Sequence, residues 1–184
     1  MTEDKEKWNE KYLQNSVPGE VSPLVEKYTQ YANIGQALDV ACGIGRNTHF
    51  LAQKGFLVDA VDSSDYALQK IKNSSTITKI DADLDKYSIA PNKYDLIIDC
   101  NYLNRRLVSQ MKHGLKKGGL IIFETFMVAH GDFKHETMNL DYLLRKNELL
   151  HFFIGLDIIY YEERIDTNKK GEKVKIASLV AKKA

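Results

Sequence analysis

The sequence predicts an α/β fold: a doubly wound, mostly parallel seven-stranded sheet with a C-terminal antiparallel hairpin. Three observations carry that expectation. Short apolar, β-branched runs alternate with amphipathic helical segments from about residue 36 to residue 126. The first of those runs ends in Gly43 and Gly45, the punctuation of a strand that turns sharply into a helix. Beyond residue 124 the alternation gives way to two consecutive strand-like runs around a polar turn. Strands separated by helices pair in parallel through right-handed crossovers, whereas two strands joined by a turn pair antiparallel.

The elements follow in order. Residues 5–12 read as an N-terminal helix, Pro18 and Gly19 as a turn, and residues 23–32 as a second helix with Ser22 as cap and Pro23 in its first turn. Residues 37–41 form the first strand, and residues 46–54 a helix stopped at Gly55. Residues 56–61 are the second strand. A helix over 65–72 follows behind a Ser64 cap, with Ala67, Leu68 and Ile71 on one face. Residues 76–80 and 94–99 are the third and fourth strands. A helix carrying Leu107, Val108, Met111 and Leu115 then leads through Gly118 and Gly119 into a fifth strand over 120–124. A polar loop over 128–139 precedes a short helix from about Glu148, capped by Asn147. Strands over 156–164 and 174–181, joined by a turn through Asn168 and Gly171, close the chain.

Composition sets the class. The 184 residues carry 26 Lys and Arg against 25 Asp and Glu, a net charge of +1, with 43% hydrophobic residues. That is ordinary globular usage, and about one domain's length. The expectation is a single domain over 1–184, in which 1–35 is a helical appendage and 36–184 the core. Balanced charge argues against a protein that coats nucleic acid, because phosphate binding needs clustered cations. Lys169, Lys170, Lys173, Lys175, Lys182 and Lys183 read as a solvated turn and tail. Cys42 and Cys100 lie far apart without metal-site spacing, and read as free thiols. His49, His113, His130, His135 and His151 are scattered and assemble no metal site. Without an apolar leader or membrane span in the sequence, a cytoplasmic location is expected.

Open α/β sheets bind ligands beyond the carboxyl ends of their strands, so the residues just after each strand are the candidates. After the first strand come Asp39, Ala41, Cys42, Gly43, Gly45, Arg46 and Asn47. Two glycines one residue apart let a ligand approach the backbone, and the following helix start offers free N–H groups. A dinucleotide fingerprint would continue to a third glycine, but Thr48 stands there. The acidic Asp39 disfavours a phosphate further and suits an ammonium or sulfonium cation. Asp62 ends the second strand 17 residues after Gly45, where a carboxylate can accept both ribose hydroxyls. Asp62, Ser63 and Ser64 also read as a helix cap. Asp83 and Leu84 follow the third strand, placed to accept from an exocyclic amine and to pack on a purine ring.

These residues resemble the first motif of the class I S-adenosylmethionine-dependent methyltransferases. The resemblance covers residues 38–126 and includes the fourth-strand run from Tyr94 and the Gly118-Gly119 turn, where Lys117 replaces the usual proline. It implies a Rossmann-like methyltransferase domain and S-adenosyl-L-methionine as cofactor. The glycine loop would hold the methionine part, Asp62 the ribose, and Asp83-Leu84 the adenine. Within the family the loop sequence, with Trp8 and Tyr12 near the start, is most similar to the tellurite-resistance and thiopurine-methyltransferase-like group. There an N-terminal segment closes over the cofactor. Trp8 reads equally as lid anchor or core staple.

Methyl transfer from a sulfonium is an in-line displacement that needs orientation and a dry site rather than a covalent enzyme intermediate. The segment after strand four lies where acceptors sit in the family. Cys100 would meet the cofactor, Asn101 and Tyr102 would position the acceptor, and Arg105 could hold an anionic one. Glu124 forms a second wall, with a raised pKa if left unpaired. The core consumes most of the chain, so the expected partner is a small-molecule methyl acceptor, with no nucleic acid and no membrane. The protein is expected as monomer or homodimer. Two other readings stand beside this one: a non-catalytic binding module on the same fold, and a nicotinamide-dependent oxidoreductase, which Thr48 and Asp39 disfavour.

Overall fold

Alternating apolar and β-branched residues make the strands, and the chain order of strands and helices decides how they pair. The structure is a computed structural model that describes residues 2–14, 18–134, 138–168 and 170–184; His135 and Lys169 lie outside them. Helix α1 (Thr2–Gln14) and helix α2 (Pro23–Tyr28) precede strand β1 (Gln36–Val40). Then come α3 (Arg46–Gln53), β2 (Leu57–Asp62), α4 (Asp65–Lys70), β3 (Ile77–Asp81) and β4 (Tyr94–Cys100). They are followed by α5 (Arg105–Gly114), β5 (Leu115–Phe126), α6 (Glu148–Phe152), β6 (Asp157–Thr167) and β7 (Lys173–Lys182).

The seven strands among the described residues form one sheet in the order β3-β2-β1-β4-β5-β7-β6. Strands β1 to β5 pair in parallel, and β7 enters antiparallel between β5 and β6. The predicted doubly wound sheet with a terminal hairpin is therefore present. Successive strands step outward from β1 to β3, then return to the other side of β1 at β4. The winding thus reverses between β1 and β4.

Both faces of the sheet are covered, as a parallel sheet requires. On one, Leu38, Val40, Ile97, Ile121 and Phe123 pack under Leu107 and Met111 of α5. On the other, Ala37, Leu96, Ile98 and Ile122 pack under Val25 of α2 and Leu51 of α3. Each such buried aliphatic side chain contributes about 1.5–3 kcal/mol. No helix among the described residues is long and apolar enough to cross a membrane.

Several local expectations are corrected. The second helix stops at Tyr28 and a 3-10 turn over Thr29–Tyr31 replaces its end. Ser22 makes no side-chain cap; its N–H instead donates to Asn47 Oδ1 at 3.0 Å. Asn147 also makes no side-chain cap, and holds a left-handed backbone with φ 60°. Ser64 does cap α4, accepting from the Ala67 N–H at 3.0 Å. The fifth strand begins at Leu115 rather than after the glycines, because Tyr94 pairs with Leu115 and Leu96 with Leu120. Residues 116–119 thus bulge inside the strand. Lys116 there pairs with Asp95 at 2.7 Å, and Asp95 also accepts the Gln36 N–H at 2.8 Å. That carboxylate ties the bulge to β4 and β1.

Candidate cofactor and acceptor site

The site is built where the winding reverses, from the loop after β1 outward. Asp39 is buried, and the Thr48 hydroxyl of α3 donates to its Oδ2 at 2.6 Å. Burial pushes its carboxyl up to about 7, while that hydrogen bond and the Arg46 charge pull the other way. Thr48, which in the sequence only marks a missing glycine, is the residue that pins this acid.

The loop beyond is held in left-handed conformations, with φ of 52° at Ala41, 55° at Gly43 and 83° at Gly45. A side chain on Gly43 would strike the Tyr12 hydroxyl at 2.6 Å, and one on Gly45 would strike Ile71 at 2.8 Å. Only glycine fits both the backbone and the space. Strain at the non-glycine Ala41 persists because neighbours fix the loop. Cys42 donates its N–H to Val61 O at 3.0 Å, and Gly45 donates to Cys42 O at 3.1 Å. The Cys42 thiol is buried and its pKa is raised, chiefly by burial.

Asp62 does more than either sequence reading required. Its Oδ2 accepts the Gly43 N–H at 2.7 Å and its Oδ1 accepts the Ser64 N–H at 2.8 Å. One carboxylate thereby braces the glycine loop and holds Ser64, the residue that caps α4. Burial raises its pKa, and backbone donors including Ser63 oppose that rise. Each oxygen keeps acceptor capacity for a further donor.

The residues after β3 also converge on this edge. Asp83 accepts the Asp85 N–H at 3.1 Å through Oδ1, while its buried Oδ2 has no hydrogen bond and faces the Lys86 ammonium at 3.7 Å. Leu84 is buried in the core, and its carbonyl accepts from Arg106 at 2.8 Å.

Helix α1 covers the loop. Tyr12 reaches Gly43 and stacks on Trp8 with ring centroids 5.8 Å apart, and the Lys11 ammonium lies 4.0 Å from the Trp8 ring. Trp8 is half-buried on α1 rather than a staple of the main core. Burial pushes the Tyr12 phenol well above its ordinary range, so it stays protonated. Polar contacts latch α1 to α4 and β3: Lys5 to Asp65 of α4 at 3.2 Å and to Asp81 of β3 at 3.1 Å, and Asn9 to Asp65 at 3.1 Å. Ser64 Oγ also donates to Asn9 Oδ1 at 2.5 Å.

Other predicted residues hold different places. Asn47 is buried and spends its amide oxygen on the Ser22 N–H, so it binds α2 to α3. Arg46 opens α3, and its charge is felt by Asp39, Tyr12 and Cys100. Cys100 ends β4 with its thiol pKa raised by burial. Asn101 is exposed, with φ 65°, and its N–H donates to Glu124 O at 2.7 Å. Helix α5 is capped by Asn104, which accepts the Arg106 N–H at 3.0 Å. Tyr102 is half-buried, its phenol pushed up by burial and its hydroxyl 3.3 Å from the Asn104 amide.

Arg105 is not a free anion holder. Its guanidinium donates to Glu148 Oε1 at 2.7 Å, Glu148 Oε2 at 3.1 Å, Asp141 O at 2.6 Å and Leu143 O at 2.9 Å. It ties the segment before α6 onto the start of α5. Glu124 is likewise paired, with Arg164 at 3.0 Å and Ser178 at 2.6 Å, so it is not left unpaired at the end of the strand.

A family model described as the tellurite resistance protein TehB matches residues 1–180. The crystal structure of TehB from Haemophilus influenzae superposes with a TM-score of 0.75 at 20% identity, covering 94% of this chain and 65% of that one. An S-adenosylmethionine-dependent methyltransferase from Mesorhizobium loti matches with a TM-score of 0.70 at 17% identity, over 88% of this chain and 96% of its own. A curated Bacillus subtilis (strain 168) protein named "Putative methyltransferase YqeM" is 30% identical over 113 residues. That match covers 54% of this chain and 44% of that protein, so the chain spans less than half the length of the curated relative.

Proposed function

Because the chain belongs to the TehB tellurite-resistance family, we propose that it is an S-adenosylmethionine-dependent methyltransferase acting on a small-molecule acceptor. The observation that carries this reading is the glycine loop at the winding reversal, braced by Asp62 and backed by the buried Asp39.

The residues fit such a cofactor. Asp62 retains acceptor capacity for ribose hydroxyls. Asp83 Oδ2, which has no hydrogen bond, suits an exocyclic amine, with the buried Leu84 next in the chain. Arg46 and the N–H groups opening α3 suit a carboxylate, and Asp39 an ammonium. When bound, the cofactor supplies an electrophilic methyl group on a positively charged sulfur. The chain orients the partners and excludes water: Tyr12 and α1 lie over the loop, while Asn101 and Tyr102 border the acceptor side.

The acceptor side lacks an evident proton acceptor among the residues assigned to it. Tyr102 and Cys100 are held protonated by burial, Asn101 does not titrate, Glu124 is engaged by Arg164 and Ser178, and Arg105 is bound to Glu148. The acceptor therefore arrives as a nucleophile already, and the pH dependence of the rate should follow the acceptor's own ionisation. At saturating S-adenosylmethionine, a rate profile that keeps one enzyme-borne pKa across acceptors of different acidity would contradict this.

Calorimetric titration with S-adenosylmethionine, S-adenosylhomocysteine and NAD, followed by S-adenosylhomocysteine release across an acceptor panel, tests the whole reading. Saturable binding of the first two and turnover of at least one acceptor are expected; binding of NAD alone overturns it.

A further inference from the structure

Asp99 has no role in the site described above, yet it is the most confined acid near it. Among the described residues it alone has both carboxylate oxygens buried without a hydrogen-bond partner. It is the penultimate residue of β4, and its backbone pairs with Val40 of β1 and Phe123 of β5. Strands β1 and β4 are the neighbours between which the winding reverses. The crevice at such a reversal is where open α/β sheets take their ligands.

The groups around Asp99 leave its charge unmatched. Asp39 of β1 opposes its ionisation, and the Tyr102 backbone N–H, from the turn after β4, favours it weakly. Its row neighbours Val40 and Phe123 are apolar. Arg46, the nearby cation, is felt by Asp39 and Cys100 but is not among the charges that act on Asp99. Burial dominates and holds the carboxyl well above the usual range. Such an unsatisfied group in a core calls for a partner that the chain itself does not supply.

We propose that Asp99 is the counter-ion of the cofactor's sulfonium, keeping its proton while the site is empty and releasing it when the cation is bound. This rests on the S-adenosylmethionine reading above. Binding of the charged cofactor then expels a proton from Asp99 to solvent. After methyl transfer the sulfur keeps the electron pair of the broken bond and is neutral, so Asp99 takes a proton back from solvent and the product loses its counter-charge. The residue thereby favours cofactor over product.

The test is calorimetry on the full chain near neutral pH, in buffers of different ionisation enthalpy, with S-adenosylmethionine and S-adenosylhomocysteine as ligands. The wild-type protein is expected to release about one proton more with the first ligand than with the second. Equal release for both overturns the proposal without any variant. Asp99→Asn is expected to abolish that difference and to weaken S-adenosylmethionine at least about tenfold while changing S-adenosylhomocysteine less than about threefold. A parallel loss for both ligands would mean a merely structural role. Failure of both ligands to bind the wild-type protein is a separate result, and removes the cofactor reading itself.

Discussion

Buried carboxyls define this protein at the residue scale. Asp39 titrates near 7 in the folded chain, against an ordinary value of 3.8. The folded state therefore holds a proton that the unfolded state has lost between about pH 4 and pH 7, and stability falls as pH rises through that window. Asp39→Asn should remove that slope. The variant should match the parent near pH 4 and exceed it near pH 8 by up to about 4 kcal/mol, roughly three pH units at about 1.4 kcal/mol each. Urea unfolding at the two pH values checks it, and an unchanged slope would relocate the titration to another group. Asp62→Ala should weaken S-adenosylmethionine by about 1–3 kcal/mol, since it removes the acceptor proposed for the ribose and the brace on Gly43. Unchanged affinity in a folded variant would count against the ribose assignment. Asp39, Asp62 and Asp83 were legible in the sequence because each lies at or beside the carboxyl end of a strand. Asp99 also lies there, but nothing in the sequence tells a buried acid without partners from one that caps a helix.

At the element scale, the segments did what their periodicity required, and the tethers between them were hidden. Arg105 lies on α5, yet its four hydrogen bonds go to residues 141, 143 and 148. Arg105→Ala should leave S-adenosylmethionine affinity within about twofold while raising amide exchange over residues 139–149, because the loss is of partly exposed contacts away from the glycine loop. Hydrogen exchange with mass readout separates that result from a direct anion contact, which would change acceptor binding with exchange unaltered. The sequence offered Arg105 as an anion holder because its position was known and its partner Glu148, 43 residues on, was not. Gly118 and Gly119 misled similarly. They predict a turn before the strand, whereas pairing of Leu115 with Tyr94 draws them into it.

For the molecule as a whole, helix α1 is the element held over the glycine loop by polar contacts. Its described side chains reach the rest of the fold through exposed ion pairs from Lys5 to Asp65 of α4 and Asp81 of β3, a half-buried hydrogen bond from Asn9 to Asp65, and Tyr12 over Gly43. Exposed pairs are weak and screened by salt. Trp8 is the one tryptophan. Its fluorescence should therefore shift toward that of a solvated indole in about 1 M salt, where the Debye length is about 3 Å. Saturating S-adenosylmethionine should suppress the shift; a spectrum indifferent to both salt and ligand would mean α1 does not move over the site. The sequence by itself determined the fold class and the glycine loop proposed to take a ligand. Those rest on local periodicity, on glycines and on the geometry of right-handed crossovers, all of which act over short stretches of chain. Only the tertiary structure decided which polar groups are spent on one another. Asn47 serves Ser22, Arg105 serves Glu148, Glu124 serves Arg164, and Asp99 is left unpartnered. Partners such as these lie 25, 43 and 40 residues apart, and their pairing follows from packing that no local pattern records.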